Sequence, residues 1–152
     1  MTKGKVLVDN RRARHEYFIE ETYEAGIVLK GTEVKSIRQG KASIGEAYCS
    51  VYDGEIFIDG MHISPYDHGN IHNLDPLRTR KLLLHKREIR KIFQEVKAAG
   101  YTIVPLNVKL VRGRVKLDIA LAKGKKLYDK RETKKKHDDQ RRIDRALKER
   151  YG

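Results

Sequence analysis

From Tyr17 onward the chain alternates. The odd positions Tyr17, Ile19, Glu21, Tyr23, Ala25, Ile27 and Leu29 are apolar with one exception. The even positions Glu16, Phe18, Glu20, Thr22, Glu24, Gly26 and Val28 are more polar. A period of two is the mark of a half-buried strand. Its length, with Gly26 inside it, predicts a strand that bends or bulges at the glycine, as a small barrel requires. Ala47, Cys49 and Val51 then alternate up to Asp53-Gly54, a strong hairpin signal, and Ile56 and Ile58 alternate out of it. A second hairpin has Val104, Leu106, Val108 and Leu110 on one arm, Arg112-Gly113 at the turn, and Val115, Leu117, Ile119 and Leu121 on the other.

Two helices interrupt the strands. Thr32 is placed to cap a short one running to Gln39, with Val34 and Ile37 inward, Lys35 and Arg38 on another face, and Gly40 as its stop. The second spans Lys86 to Ala99, with Ile89, Ile92, Phe93 and Val96 as its buried stripe and Gly100 after it. Several antiparallel strands, two flanking helices and no parallel crossover predict a mainly β, α+β fold: an OB-like antiparallel barrel, a shape that often binds oligonucleotides.

Charge changes the picture. The 152 residues hold 34 Lys and Arg against 21 Asp and Glu, a net +13. Residues 1–122 hold 21 basic and 15 acidic residues, whereas 123–152 hold 13 basic and 6 acidic with only six apolar ones. The sequence therefore divides into a barrel over 1–122 and a basic tail over 123–152, expected to stay disordered until a partner neutralises it. A helical tail would align Ile143, Ala146 and Leu147, and Gly124 offers a hinge. The excess of cations points to an anionic partner, nucleic acid first. No stretch is long and apolar enough for a membrane span or a secretory signal, and Cys49 is the single cysteine. These features predict a cytoplasmic protein, a monomer when free, with no membrane partner.

Catalytic patterns are weak. Cys49 lies in the inward series of a strand and reads as a small buried hydrophobe. Gln39-Gly40-Lys41-Ala42-Ser43 lacks the first glycine of a phosphate-binding loop. His62, Asp67, His68, His72 and Asp75 share a loop with no helix to align them, so the reading is no metal and no cofactor; a metal-dependent RNA-processing enzyme on that loop is the contrasting hypothesis. The basic features are more coherent. Arg11, Arg12, Arg14 and His15 form one expected RNA-binding patch. Lys35, Arg38, Arg80 and Lys81 supply further phosphate contacts. Three successive leucines, Leu82 to Leu84, cannot all point inward, so one is exposed beside His85 as a wedge for a base. Glu24, on the polar side of its strand, reads either as a surface charge that tunes solubility or as an acceptor for base-edge donors.

Several segments resemble the SsrA-binding protein family: Asn10 to Tyr17, Tyr23-Glu24-Ala25-Gly26, Gly31 to Ser36, Asp75-Pro76 with Arg78 to Leu84, and Ala122 to Lys126 with Asp129-Lys130-Arg131. The resemblance runs from about residue 5 to 131. It implies a non-enzymatic adaptor that grips the tRNA-like domain of transfer-messenger RNA and brings it to stalled ribosomes. By motif, Glu24 and Leu83 match RNA-contacting positions, and His85 stands where some members carry Asn. His15 matches a position at the small-subunit decoding centre. Lys123, Lys125, Lys126, Asp129, Lys130 and Arg131 match the basic start of a tail that, the resemblance implies, is disordered when free and helical when bound in the mRNA channel. Another ribosome-associated OB-like protein, such as an initiation factor or ribosomal component, is the alternative reading.

Overall fold

A computed structural model describes residues 4–66 and 75–125. In chain order the elements are β1 (Lys5–Asp9), α1 (Arg11–Glu16), β2 (Tyr17–Ile27), α2 (Gly31–Arg38), β3 (Ala42–Ser43), β4 (Tyr48–Tyr52), β5 (Glu55–Asp59), β6 (His62–Ile63), β7 (Arg80–Leu83), α3 (Lys86–Ala99), β8 (Thr102–Val111) and β9 (Arg114–Gly124). Seven strands pair antiparallel in the order β1-β8-β4-β5-β7-β2-β9, and β9 pairs again with β8. The pairings therefore run in a circuit, but closure between β4 and β8 rests on one residue pair, Cys49 with Ile103. The result is an antiparallel sheet curled on itself rather than a uniform barrel. β3 and β6 form a separate two-stranded ribbon.

Both predicted hairpins form, with Asp53-Gly54 and Arg112-Gly113 all at positive φ, the turn geometry that matches strand twist. The alternation is less uniform than the sequence suggests. In β2 the register shifts between Ile19 and Glu21, whereas Gly26 pairs regularly with Leu83 and Lys116. The bulge is thus at Glu20 and not at Gly26. In β8 the register shifts between Pro105 and Asn107, where proline has already removed a ladder donor. One extra residue reverses which face every later side chain takes. Tyr23, Ala25 and Val108 consequently pack in the main core with Ile56, Ile58 and Leu82, while Tyr17, Ile19, Val104 and Leu106 form a second cluster with Ala13 of α1. The unbroken β9 alternates between them, Leu117 and Ile119 in the first and Ala120 and Ala122 in the second.

Three helices form among the described residues, where the alternation predicted two. The basic patch before β2 is itself the helix α1. α3 has the expected bounds, but Phe93 is 44% exposed instead of buried, and only Ile89 and Ile92 of its stripe are fully covered. Phe93 borders an open groove of about 770 Å³ left where β4 and β8 barely meet. α2 begins at Gly31 after Lys30, not after a Thr32 cap, and its buried residues are Glu33, Ser36 and Ile37. Cys49 is buried, which pushes its thiol well above the usual range, with Asp59 adding to the effect.

Glu33 anchors the approach to β7. Its carboxylate accepts from Arg80 Nε at 2.8 Å, from Arg78 Nε at 3.0 Å and Nη2 at 2.6 Å, and from the Lys30 backbone N–H at 2.9 Å. Burial alone would push this carboxyl up, but hydrogen bonds from Arg78, Lys30 and Arg80 outweigh it and hold the carboxyl below its ordinary value. A depressed carboxylate contributes stability above its unfolded pKa that is lost as pH falls through the folded one. Glu33→Gln leaves two guanidiniums without their anion, and urea denaturation at pH 7 is expected to show a loss of about 3–5 kcal/mol. Below about pH 4.3 the wild-type stability falls more steeply than that of the variant, which retains only the other carboxylates.

Candidate nucleic-acid interface

Two surfaces gather the residues singled out by sequence. The first is the outer face of β7, β2, β9 and β8. On β7, Arg80 and Leu82 point inward while Lys81 and Leu83 point out, and Leu83 is 52% exposed. Leu83 stands opposite Gly26, where an added Cβ would lie 3.2 Å from the Leu83 Cβ. The missing side chain lets the leucine lie against the strand and present its apolar edge. Glu24 lies two residues along the same face, opposite Asp118. His85 follows two residues after Leu83 and is exposed at the start of α3, its backbone N–H donating to Glu88 Oε1 at 3.1 Å. Glu24 thus shares one region with Leu83 and His85, which lie far from it in sequence.

Arg80 does not belong to this surface. Its guanidinium is fully buried, ion-paired to Glu33 and donating to the carbonyls of Met61 at 2.8 Å and Pro76 at 3.1 Å. Every donor direction used is internal, so Arg80 is corrected from a phosphate contact to a structural cation. Lys81 remains outward, 3.8 Å from Glu55. Lys35 is exposed over the Tyr66 ring at 5.4 Å, and Arg38 donates to the Gly113 carbonyl at 3.1 Å.

Sequence reasoning missed Lys109 and Asp118. Both sit in strands that otherwise read as apolar, which was the available signal. Lys109 Nζ lies 2.9 Å from Glu24 Oε2 and 2.9 Å from Asp118 Oδ1. Burial pulls this ammonium's pKa down, but hydrogen bonds to Asp118 and Glu24 more than compensate and raise it.

The second surface is α1. Asn10 caps it, its Oδ1 accepting from the Ala13 N–H at 3.2 Å, and its Nδ2 donates to the carbonyls of Pro105 at 2.8 Å and Ile44 at 3.3 Å. The Asn10 N–H donates to the Leu106 carbonyl at 2.8 Å. One buried side chain therefore starts the helix and ties it to the bulge in β8. The three guanidiniums do not form a uniform patch: Arg12 binds Glu16 at 3.0 Å and also Glu46, and Arg14 binds Asp9 at 2.7 Å. Arg11 and His15 are exposed, with no side-chain ion pair among the described residues. β9 continues to Gly124, which pairs with Tyr17, so this strand extends past residue 122. Lys123 lies over the Tyr101 ring at 4.6 Å, and Lys125 lies 5.3 Å from the Phe18 ring and donates to the Arg14 carbonyl at 3.3 Å. Lys126, Asp129, Lys130, Arg131 and the Ile143 stripe lie outside the described residues, as do Asp67, His68 and His72. No group of three metal-ligating side chains occurs among the described residues, and no described helix is long and apolar enough to cross a membrane.

Comparison with known proteins finds one family model, "SmpB protein", matching residues 7–149. The chain is 59% identical over 147 residues to an SsrA-binding protein of Acetivibrio thermocellus, covering 97% of this chain and 96% of that one. It is 58% identical over 153 residues to an SsrA-binding protein of Clostridium botulinum, covering 99% and 98%. A solved structure described as "tmRNA-SmpB: a journey to the center of the bacterial ribosome" superposes with a TM-score of 0.67 at 45% identity, covering 93% of this chain and 96% of that one.

The anchoring of α1 makes a measurable demand. Asn10→Ala removes the cap and leaves the Pro105 and Ile44 carbonyls without this donor; a stability loss of about 2 kcal/mol is expected in urea denaturation. Hydrogen exchange should accelerate first in the amides of α1.

Proposed function

This chain belongs to the SmpB protein family, and from that premise we propose that it is an RNA-binding adaptor that binds transfer-messenger RNA and delivers it to stalled ribosomes for trans-translation. Its work is recognition, not catalysis. The observation that carries this reading is the family match over nearly the whole chain, joined to likeness in fold to an SmpB described with tmRNA on the ribosome.

Within that function the two surfaces divide the labour. The outer face of β2 and β7 is assigned to the tRNA-like domain. Leu83 offers an apolar edge to an unstacked base, Glu24 accepts from base-edge amino groups, and His85 supplies a ring and a polar nitrogen. Lys35, Arg38 and Lys81 supply positive charge toward phosphate. The α1 surface is assigned to the ribosome. Arg11 and His15 are the exposed groups there, and Arg12 and Arg14 need only exchange a surface carboxylate for a phosphate, a small cost because exposed ion pairs are worth about 0–1 kcal/mol. Lys125 lies against α1 at the Arg14 carbonyl, and Lys126, Asp129, Lys130 and Arg131 continue the chain into the tail. That tail is assigned to the small-subunit mRNA channel, where ribosomal RNA screens its charge and favours a helix. The working compartment of such an adaptor is the cytoplasm.

Sequencing the RNA that co-purifies with the chain tests the central reading: transfer-messenger RNA should be strongly enriched, and ribosomal RNA alone would refute it. Truncation after Lys125, which spares all of β9, is expected to leave most binding to the tRNA-like domain and abolish tagging on ribosomes stalled without a stop codon. Glu24→Ala should weaken that domain by about 1–3 kcal/mol more than an unrelated RNA. Lys81→Ala, by contrast, should weaken the tRNA-like domain and the unrelated RNA alike and flatten the salt slope by about one unit.

A further inference from the structure

Glu24 is ion-paired to a cation that another strand supplies. It stands directly across from Asp118, and two carboxylates so placed on one sheet face repel. The Lys109 ammonium enters from β8 and lies 2.9 Å from an oxygen of each. Exposure is graded through the three groups: the Lys109 side chain is 4% exposed, Asp118 6% and Glu24 22%. The cation and one anion are thus enclosed, and Glu24 is the member that reaches solvent.

This grading separates two roles that a lysine can have at an RNA surface. A phosphate contact must be accessible, and Lys109 is covered. A buried ammonium retained between two carboxylates instead restricts where those carboxylates can be. Fixing the Glu24 rotamer during folding removes an ordering cost from binding. The three groups together carry a net negative charge, which disfavours phosphate and favours neutral amino donors at that point of an otherwise basic surface.

We propose that Lys109 is the positioning residue of the RNA site: it fixes the Glu24 carboxylate to accept from amino groups on an exposed base edge, and Asp118 fixes Lys109. The inference rests on the reading of Glu24 as an RNA contact. It makes selectivity depend on a residue that does not itself touch RNA.

The test titrates the full chain with the tRNA-like domain and with an unrelated hairpin of equal length at several salt concentrations. The variants are Glu24→Gln, Lys109→Met and the two combined. Lys109→Met should lose about tenfold on the tRNA-like domain and little on the hairpin, with the salt slope unchanged. The combined variant should be no weaker than Glu24→Gln alone, because both changes remove the same contact. Additive losses, equal losses on both RNAs, or a salt slope flattened by about one unit would overturn the positioning role. A Glu24→Gln chain that binds both RNAs as the wild type does would instead remove Glu24 from the interface and withdraw the premise. Should Lys109→Met fold poorly, Lys109→Met/Asp118→Asn removes the enclosed cation together with its enclosed anion, and the same selective loss is expected of it.

Discussion

A regular strand offers one row of alternate side chains to one side, and this protein requires its long strands to serve two cores. The bulges in β2 and β8 meet that requirement. On one side of each bulge the apolar residues enter the sheet's interior; on the other they turn outward under α1. Ala120 and Ala122 keep that outer bed low, so Ala13 and the helix backbone can approach. The same reversal sends Glu24 and Lys109 to the outer face, where the unbroken alternation of β9 already places Asp118. Both candidate surfaces thus descend from a one-residue irregularity in each of two strands.

Charge is sorted by what it costs to bury. Arg80 and Lys109 are enclosed, and each has carboxylate partners that offset the loss of water. Arg80 also donates to two backbone carbonyls, so its guanidinium organises the approach to β7 and thereby where Leu83 emerges. The exposed cations Arg11, Arg12, Arg14 and Lys35 remain in water, where ion pairs are weak and readily exchanged. A net charge of +13 is therefore a poor count of what is offered to RNA. Some of it is structural, some is provisionally paired, and the candidate face around Glu24 carries negative groups.

Much of this was legible along the chain. Alternation located the strands of both hairpins, and Asp53-Gly54 and Arg112-Gly113 located their turns, because positive φ at two successive residues is a local demand. α3 was equally clear, since its period and Gly100 stop are local. The exposed leucine was inferred from three leucines in succession, and Leu83 is that residue. Less legible were the groups whose partners are distant. Asn10 read as the start of a basic motif, yet it is the cap that fastens α1 to a loop and strand 34 to 95 residues away. Arg80 read as a surface cation because nothing near it in sequence announces Glu33.

The sequence by itself determined the strand-rich antiparallel class, the hairpin turns, the basic character and the family, all of which follow from periods, turn chemistry and motifs within a few residues of one another. Tertiary structure alone decided which face each half of β2 and β8 presents, because a bulge is a property of two strands in register and not of one. It also decided that Arg80 faces inward and that Lys109 stands between Glu24 and Asp118. A charge declares its role only when the groups that replace its water are known, and in this chain those groups come from other strands and helices.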